Sequence, residues 1–123
     1  KLGIGGIREI EFIIQAFQLI NGREDEELRE TPLKKVLVLL KDLGYLRPSI
    51  AGQFEKAYDF LRRTENHLQA KNDQQMHTLP HDEAQRQALA ISMGFNDWAA
   101  FDKKLSTYRH FVTQRFNKMI IEP

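Results

Sequence analysis

The sequence predicts an all-α fold, an antiparallel bundle of about five helices with mostly short connections. Three observations predict it. Apolar residues recur at three-four spacing in five separate segments. Residues that start and stop helices stand between those segments. No segment alternates at period two for long enough to make a strand. A short extended, glycine-rich stretch, Lys1 to Gly6, precedes the first helix.

The elements follow in order. A first helix is expected from Ile7 to about Ile20, ended by Asn21-Gly22. Arg23 to Glu30 is a charge run and reads as a solvated loop, its acidic cluster Glu24 to Glu27 included. Thr31-Pro32 is a cap followed by proline at the first helical position, and it opens helix two. That helix carries Leu33, Val36, Leu37 and Leu40 and stops at Gly44. Pro48-Ser49 opens a third helix, from about Ile50 to Lys71, with Phe54, Tyr58, Leu61 and Leu68 as its apolar stripe. After a loop from Asn72 to Pro80, Asp82 caps helix four and Gly94 ends it. Asn96 is expected to cap helix five, from about Asp97 to Ile121, roughly 35 Å long. Trp98, Phe101, Leu105, Tyr108, Val112 and Met119 set its period, and Arg115 breaks it. Trp98 and the phenylalanines at helical spacing read as core and not as a stacking platform.

Composition excludes several functions. The 123 residues, near the typical size of one domain, carry 18 Lys and Arg against 17 Asp and Glu, a net charge of +1. That balance argues against a nonspecific nucleic-acid or membrane-surface binder. Hydrophobic residues make up 41% of the chain, enough for one buried core. The absence of cysteine excludes disulfides, Cys-based zinc sites and thiol catalysis, and it fits a reducing compartment. No apolar run approaches a membrane span, and no signal-peptide pattern is present. The abrupt start at Lys1 and stop at Pro123 suggest a piece of a longer protein.

The candidate functional residues cluster at the start of the first helix. Gly3-Ile4-Gly5-Gly6 is not a dinucleotide fingerprint, because the third glycine of GxGxxG would fall on Arg8. Glycines at a helix start still allow close backbone approach and free N–H groups that attract anions. Gly5, Gly6 and Arg8 are therefore candidate phosphate ligands, with a plain tight turn as the alternative. Arg8, Glu11, Gln15 and Gln18 share a narrow polar stripe, and apolar residues cover most of the remaining circumference. Such a helix is expected between two packing layers, with some Ile or Phe side chains near its start left uncovered. Glu9 lies in the apolar arc. A carboxylate there must be paired, bind a metal or reach a polar cleft, where it would be a candidate supporting residue of a catalytic site. The alternative is a first-turn acid that faces water and favours the helix dipole. Glu9 and Glu11 point about 200° apart and cannot chelate one ion together.

Elsewhere, Glu65 falls in the apolar stripe of helix three, one turn from Arg62 and Arg63, and an Arg62–Glu65 ion pair bracing the bundle is expected. His77 and His81 have the spacing of a helical metal pair, but Pro80 between them argues against it. His67 and His110 stand alone. No metal site is expected within the chain, and no serine sits in a nucleophile elbow.

KLGIGGIREIEFIIQAFQLI resembles a signature segment of bacterial glutamine synthetase adenylyltransferases. The resemblance continues through YDFLRRTENHLQ (Tyr58 to Gln69), HTLP (His77 to Pro80) and MGF.DW..F (Met93 to Phe101). It implies a bifunctional enzyme whose two nucleotidyltransferase halves attach AMP to a tyrosine of glutamine synthetase and remove it by phosphorolysis, releasing ADP. The Arg8-Glu9 pair resembles the N-terminal, adenylyl-removing half. The resemblance further implies Mg2+ as cofactor, ATP, ADP and phosphate as substrates, and a cytoplasmic protein. Its implied partners are glutamine synthetase, the PII signalling protein and the enzyme's other half. Residues 1–20 would close the nucleotidyltransferase domain, and residues 21–123 would form the helical domain after it. The family's metal-binding Asp-x-Asp and Gly-Ser turn have no match here, so no catalysis is expected from this chain alone. Without the resemblance, a noncatalytic helical interaction module of a signalling protein competes with an accessory domain of a nucleotide-handling enzyme. The Gly5-Gly6-Ile7-Arg8-Glu9 junction favours the latter.

Overall fold

The structure, a computed structural model, describes residues 6–21, 33–71 and 79–121. They form five α-helices: α1 (Ile7–Asn21), α2 (Leu33–Asp42), α3 (Pro48–Lys71), α4 (Glu83–Ser92) and α5 (Trp98–Phe116). A π-helical turn, Asn117–Ile121, continues α5. Among the described residues there is no strand. Lys1 to Gly5, the charge run and the Thr31-Pro32 cap lie outside them, as does His77.

The element order is as expected, and the differences are local. Helix three starts at Pro48 itself, where proline's fixed φ and missing N–H suit the first helical position. Asp97 caps α5 in place of Asn96. Its carboxylate accepts the Ala100 N–H at 2.9 Å, while Asn96 contributes its carbonyl to the Gln87 side chain at 3.1 Å. The Gln87 amide oxygen in turn accepts from Trp98 N at 3.3 Å, so one α4 side chain clamps the turn into α5. Asp82 caps α4 through Gln85 N at 3.0 Å. The expected single helix to Ile121 changes winding at Asn117, and Met119 and Ile120 pack half-buried against the core there.

One core joins all five helices. α1 packs against α2, α3 and α5, and α3 packs against every other helix. Ile10, Ile13, Leu40, Phe54, Leu61, Phe101 and Leu105 are fully enclosed. Each such burial is worth about 1.5–3 kcal/mol relative to exposure. The one buried polar residue among those described, Thr64, donates its hydroxyl to the Phe60 carbonyl at 2.9 Å. Phe60, which the helical stripe did not include, is buried and anchors an aromatic cluster with Phe95, Phe101 and Tyr108.

The all-round apolar character of α1 is resolved by its central position. Ile7, Ile10, Ile13 and Ile14 are buried among three helices. The uncovered side chains are Phe12 and Leu19, at 50% and 82% exposure. Phe12 still meets Phe116 of α5, with ring centroids 5.8 Å apart. No helix among the described residues is long and apolar enough to cross a membrane.

Candidate functional site at the start of the first helix

Gly6 is the residue from which α1 springs. Its carbonyl accepts the Ile10 N–H at 3.0 Å, the first bond of the helix. Its φ of +112° is a conformation that side-chain-bearing residues rarely adopt. A Cβ at this position would lie 2.8 Å from Leu61 Cδ1 of α3. Leu61 is fully enclosed, so an added methyl would have to push its Cδ1 aside within the core. Gly6 is thus required twice, by its backbone conformation and by close packing of α1's start onto α3.

Glu9 completes this junction. Its Oε1 accepts the Gly6 N–H at 3.0 Å, the return contact of a capping box, and the side chain is half-buried. Burial lowers the Arg109 guanidinium of α5 from its ordinary value, and the charges of Asp102 and, less strongly, Glu9 oppose that shift. The Glu9 carboxylate is thus held by a backbone donor. An anion approaching the Gly6 N–H would have to displace it. Arg8 is exposed on the outer side of the same turn, and Gly5 lies outside the described residues.

A second polar constellation braces α1 against α3. Arg62 donates through Nη1 to Glu65 Oε1 at 2.8 Å and through Nη2 to Glu11 Oε2 at 3.4 Å. Its Nε donates to the Tyr58 hydroxyl at 3.1 Å. The hydrogen bond to Tyr58, more than that to Glu65, raises the guanidinium above its ordinary value, and partial burial opposes the rise. The i,i+3 contact of Arg62 with Glu65 is legible in the sequence, and so is the i,i+4 contact with Tyr58. Glu11, 51 residues away, is invisible to any local pattern.

Glu9 and Glu11 therefore serve different partners, Gly6 N and Arg62, as their angular separation requires. Among the described residues no group of three His, Asp or Glu side chains is placed to hold a metal ion. Carboxylates are suitable Mg2+ donors, but Glu9 and Glu11 are each engaged by a different protein group and do not converge on one ion. His67 is half-buried on α3, whereas His81 and His110 are exposed. Trp98 packs on Phe101, with centroids 5.2 Å apart, and carries the Arg86 guanidinium 5.0 Å above its ring.

Comparison with known proteins gives the junction its context. The family model described as GlnD PII-uridylyltransferase matches residues 1–120. A bifunctional glutamine synthetase adenylyltransferase/adenylyl-removing enzyme of Pseudomonas aeruginosa is 47% identical over 123 residues, all of this chain and 12% of the relative. Enzymes of the same name from Methylococcus capsulatus and Hahella chejuensis are 48% and 42% identical, over 100% and 99% of the chain and 13% of each relative. The chain thus spans about an eighth of the length of these relatives. The expected likeness to this group of enzymes is met across the whole chain, and with a family match from the glycine junction to the end of α5 and beyond, the chain belongs to the GlnD PII-uridylyltransferase family.

Proposed function

We propose that this chain is the helical segment adjoining a catalytic unit in an enzyme that adenylylates and deadenylylates a tyrosine of glutamine synthetase. The observation that carries the proposal is identity of 42–48% along essentially the whole chain to relatives bearing that double name. The Arg8-Glu9 pair favours the adenylyl-removing half. In this reading residues 1–20 close the catalytic domain, and α1 carries that junction into the bundle. Mg2+, ATP, ADP and phosphate are bound chiefly by residues outside these 123. Glutamine synthetase is the substrate, PII and the enzyme's other half are regulatory partners, and the enzyme works in the cytoplasm.

Within this reading the residues of the junction have positioning roles. Glu9 fixes the Gly6 backbone, which leaves Arg8 on the exposed side of the turn, toward the catalytic unit. Arg8 there offers a fork of donors for a phosphate group. Gly6 seats the junction on Leu61, so that the catalytic unit and the bundle meet at a fixed angle. No step of the reaction is assigned to the bundle itself.

A chimera tests the proposal. These 123 residues replace the matching stretch of the Pseudomonas aeruginosa relative, and both AMP attachment and phosphorolytic removal are assayed. The chimera should retain both activities. Glu9→Gln in it should lower removal more than tenfold, a loss of more than about 1.4 kcal/mol of transition-state stabilisation, and leave attachment nearly unchanged. The isolated 123-residue chain should remove no AMP. A folded chimera without either activity, or removal by the isolated chain, would overturn the reading.

A further inference from the structure

A second surface lies away from the junction. It is a groove of about 320 Å3 between α3, the turn from α4 to α5, and α5. Lys56 and Arg63 stand on its α3 wall and Lys104 on its α5 wall. All three are exposed, and none forms an ion pair among the described residues. The one acid in the lining, Asp59, is occupied by Lys34 Nζ at 2.8 Å. The turn, residues 93–95, contributes no ionisable group. A chain of net charge +1 therefore gathers three cations around one depression.

Two cations hold defined positions. Lys104 Nζ lies 5.4 Å from the Tyr108 ring centroid, and Arg63 Nη2 donates to the Met93 carbonyl at 3.5 Å. Half-buried Phe95 and Tyr108 make the floor apolar, continuous with the buried Phe60 cluster. Gly94, at φ +93°, is exposed, and a Cβ there would meet nothing within 4 Å, so the floor is open to another backbone.

We propose that this groove binds an extended acidic segment of a partner protein, with a bulky apolar residue between its acidic residues. Spacing favours a peptide over a single phosphate. Lys56 and Arg63 are seven residues apart on one helix, about 10 Å along its axis, and do not converge on one small anion. Acidic residues four apart in an extended strand share one face with the residue midway between them and span about 13 Å. They reach both cations and set the intervening apolar side chain over Phe95 and Tyr108. Lys104 closes the opposite wall. The inference stands on charge placement and shape, and holds whether or not the proposed activity does.

The test is fluorescence anisotropy of a labelled peptide, Asp-Glu-Gly-Phe-Glu-Asp, titrated with the 123-residue chain at low salt. Saturable binding is expected, with at least a threefold loss when the peptide's Phe is replaced by Gly. The triple variant K56E/R63E/K104E should bind at least tenfold more weakly. K35E/K41E/K118E makes the same change of net charge elsewhere and should alter binding less than twofold. Amide shifts of the unsubstituted chain give an answer that needs no variant, and they should move at residues 93–95 and beside Lys56, Arg63 and Lys104. Absence of saturable binding, equal loss in both triple variants, or shifts scattered over the surface would overturn the proposal. Tighter binding of ATP or inorganic tripolyphosphate than of the peptide, abolished by the groove triple variant, would make this a phosphate site and overturn it equally.

Discussion

The start of α1 and the groove between α3 and α5 are both rich in charge, but their charges are used differently. At the start of α1, Glu9 holds a backbone N–H, and Glu11 meets Arg62. At the groove, Lys56, Arg63 and Lys104 surround an apolar floor, and none of them is bound to a carboxylate among the described residues. Gly6, the described residue of the glycine-rich segment that attracts attention in the sequence, is built into the bundle's packing. The surface with charge to spare comes from residues that, read one at a time, look like ordinary helix exteriors. A charged residue's role depends on whether the fold supplies its counter-charge.

Substitutions sharpen this contrast. The largest effect is expected from Leu61→Ala, which empties a fully enclosed site under the junction and should cost about 2–5 kcal/mol of stability in denaturant unfolding. Gly6→Ala comes next. The unfavourable φ and the contact with Leu61 together should cost about 1–3 kcal/mol. Glu9→Leu removes the return contact of the capping box, and a loss of about 0.5–1 kcal/mol is expected. Glu9→Gln retains an acceptor at that position and should be nearly neutral in stability, so the activity loss proposed for it separates function from folding. Glu11→Gln should cost under about 1 kcal/mol, because its side chain and that of Arg62 are 36% and 44% exposed and water screens the pair. The groove triple variant K56E/R63E/K104E should leave the melting temperature nearly unchanged. A large loss there would show that these cations brace the fold, contrary to the comparison.

Much of the fold was legible because helix periodicity and capping are local. Leu33, Val36, Leu37 and Leu40 mark α2 by spacing alone, and Asp82 and Gly94 bracket α4. The cap of α5 was missed by one residue because Asn96 and Asp97 are both good caps. The choice between them is made by Gln87, nine residues from Asn96 and on another helix. The apolar girth of α1 pointed to contacts on several sides. Only the three-helix surround shows that Ile7, Ile10, Ile13 and Ile14 are covered and that, among the described side chains, Phe12 and Leu19 are the large apolar exceptions.

The site was legible in part. The residues Gly6, Glu9, Arg62 and Glu65 were all identifiable, but the reason for Gly6 was not. The sequence offered a ligand site or a plain tight turn as reasons for the glycine, and neither points to the close contact with Leu61, 55 positions along the chain. The groove left no mark in the sequence. Lys56, Arg63 and Lys104 share no motif, and only the packing of α5 on α3 brings them to one depression.

The central claim is that the glycine junction is seated on α3 by direct contact. A double-mutant cycle on Gly6→Ala and Leu61→Ala, read by urea unfolding, tests it most directly. Truncating Leu61 removes the Cδ1 atom that an added methyl would strike, leaving only the backbone penalty at Gly6. Gly6→Ala should therefore cost at least about 0.5–1 kcal/mol less in the Leu61→Ala background than in the parent chain. Additivity within about 0.3 kcal/mol would mean that the two residues do not bear on each other, and would contradict the account.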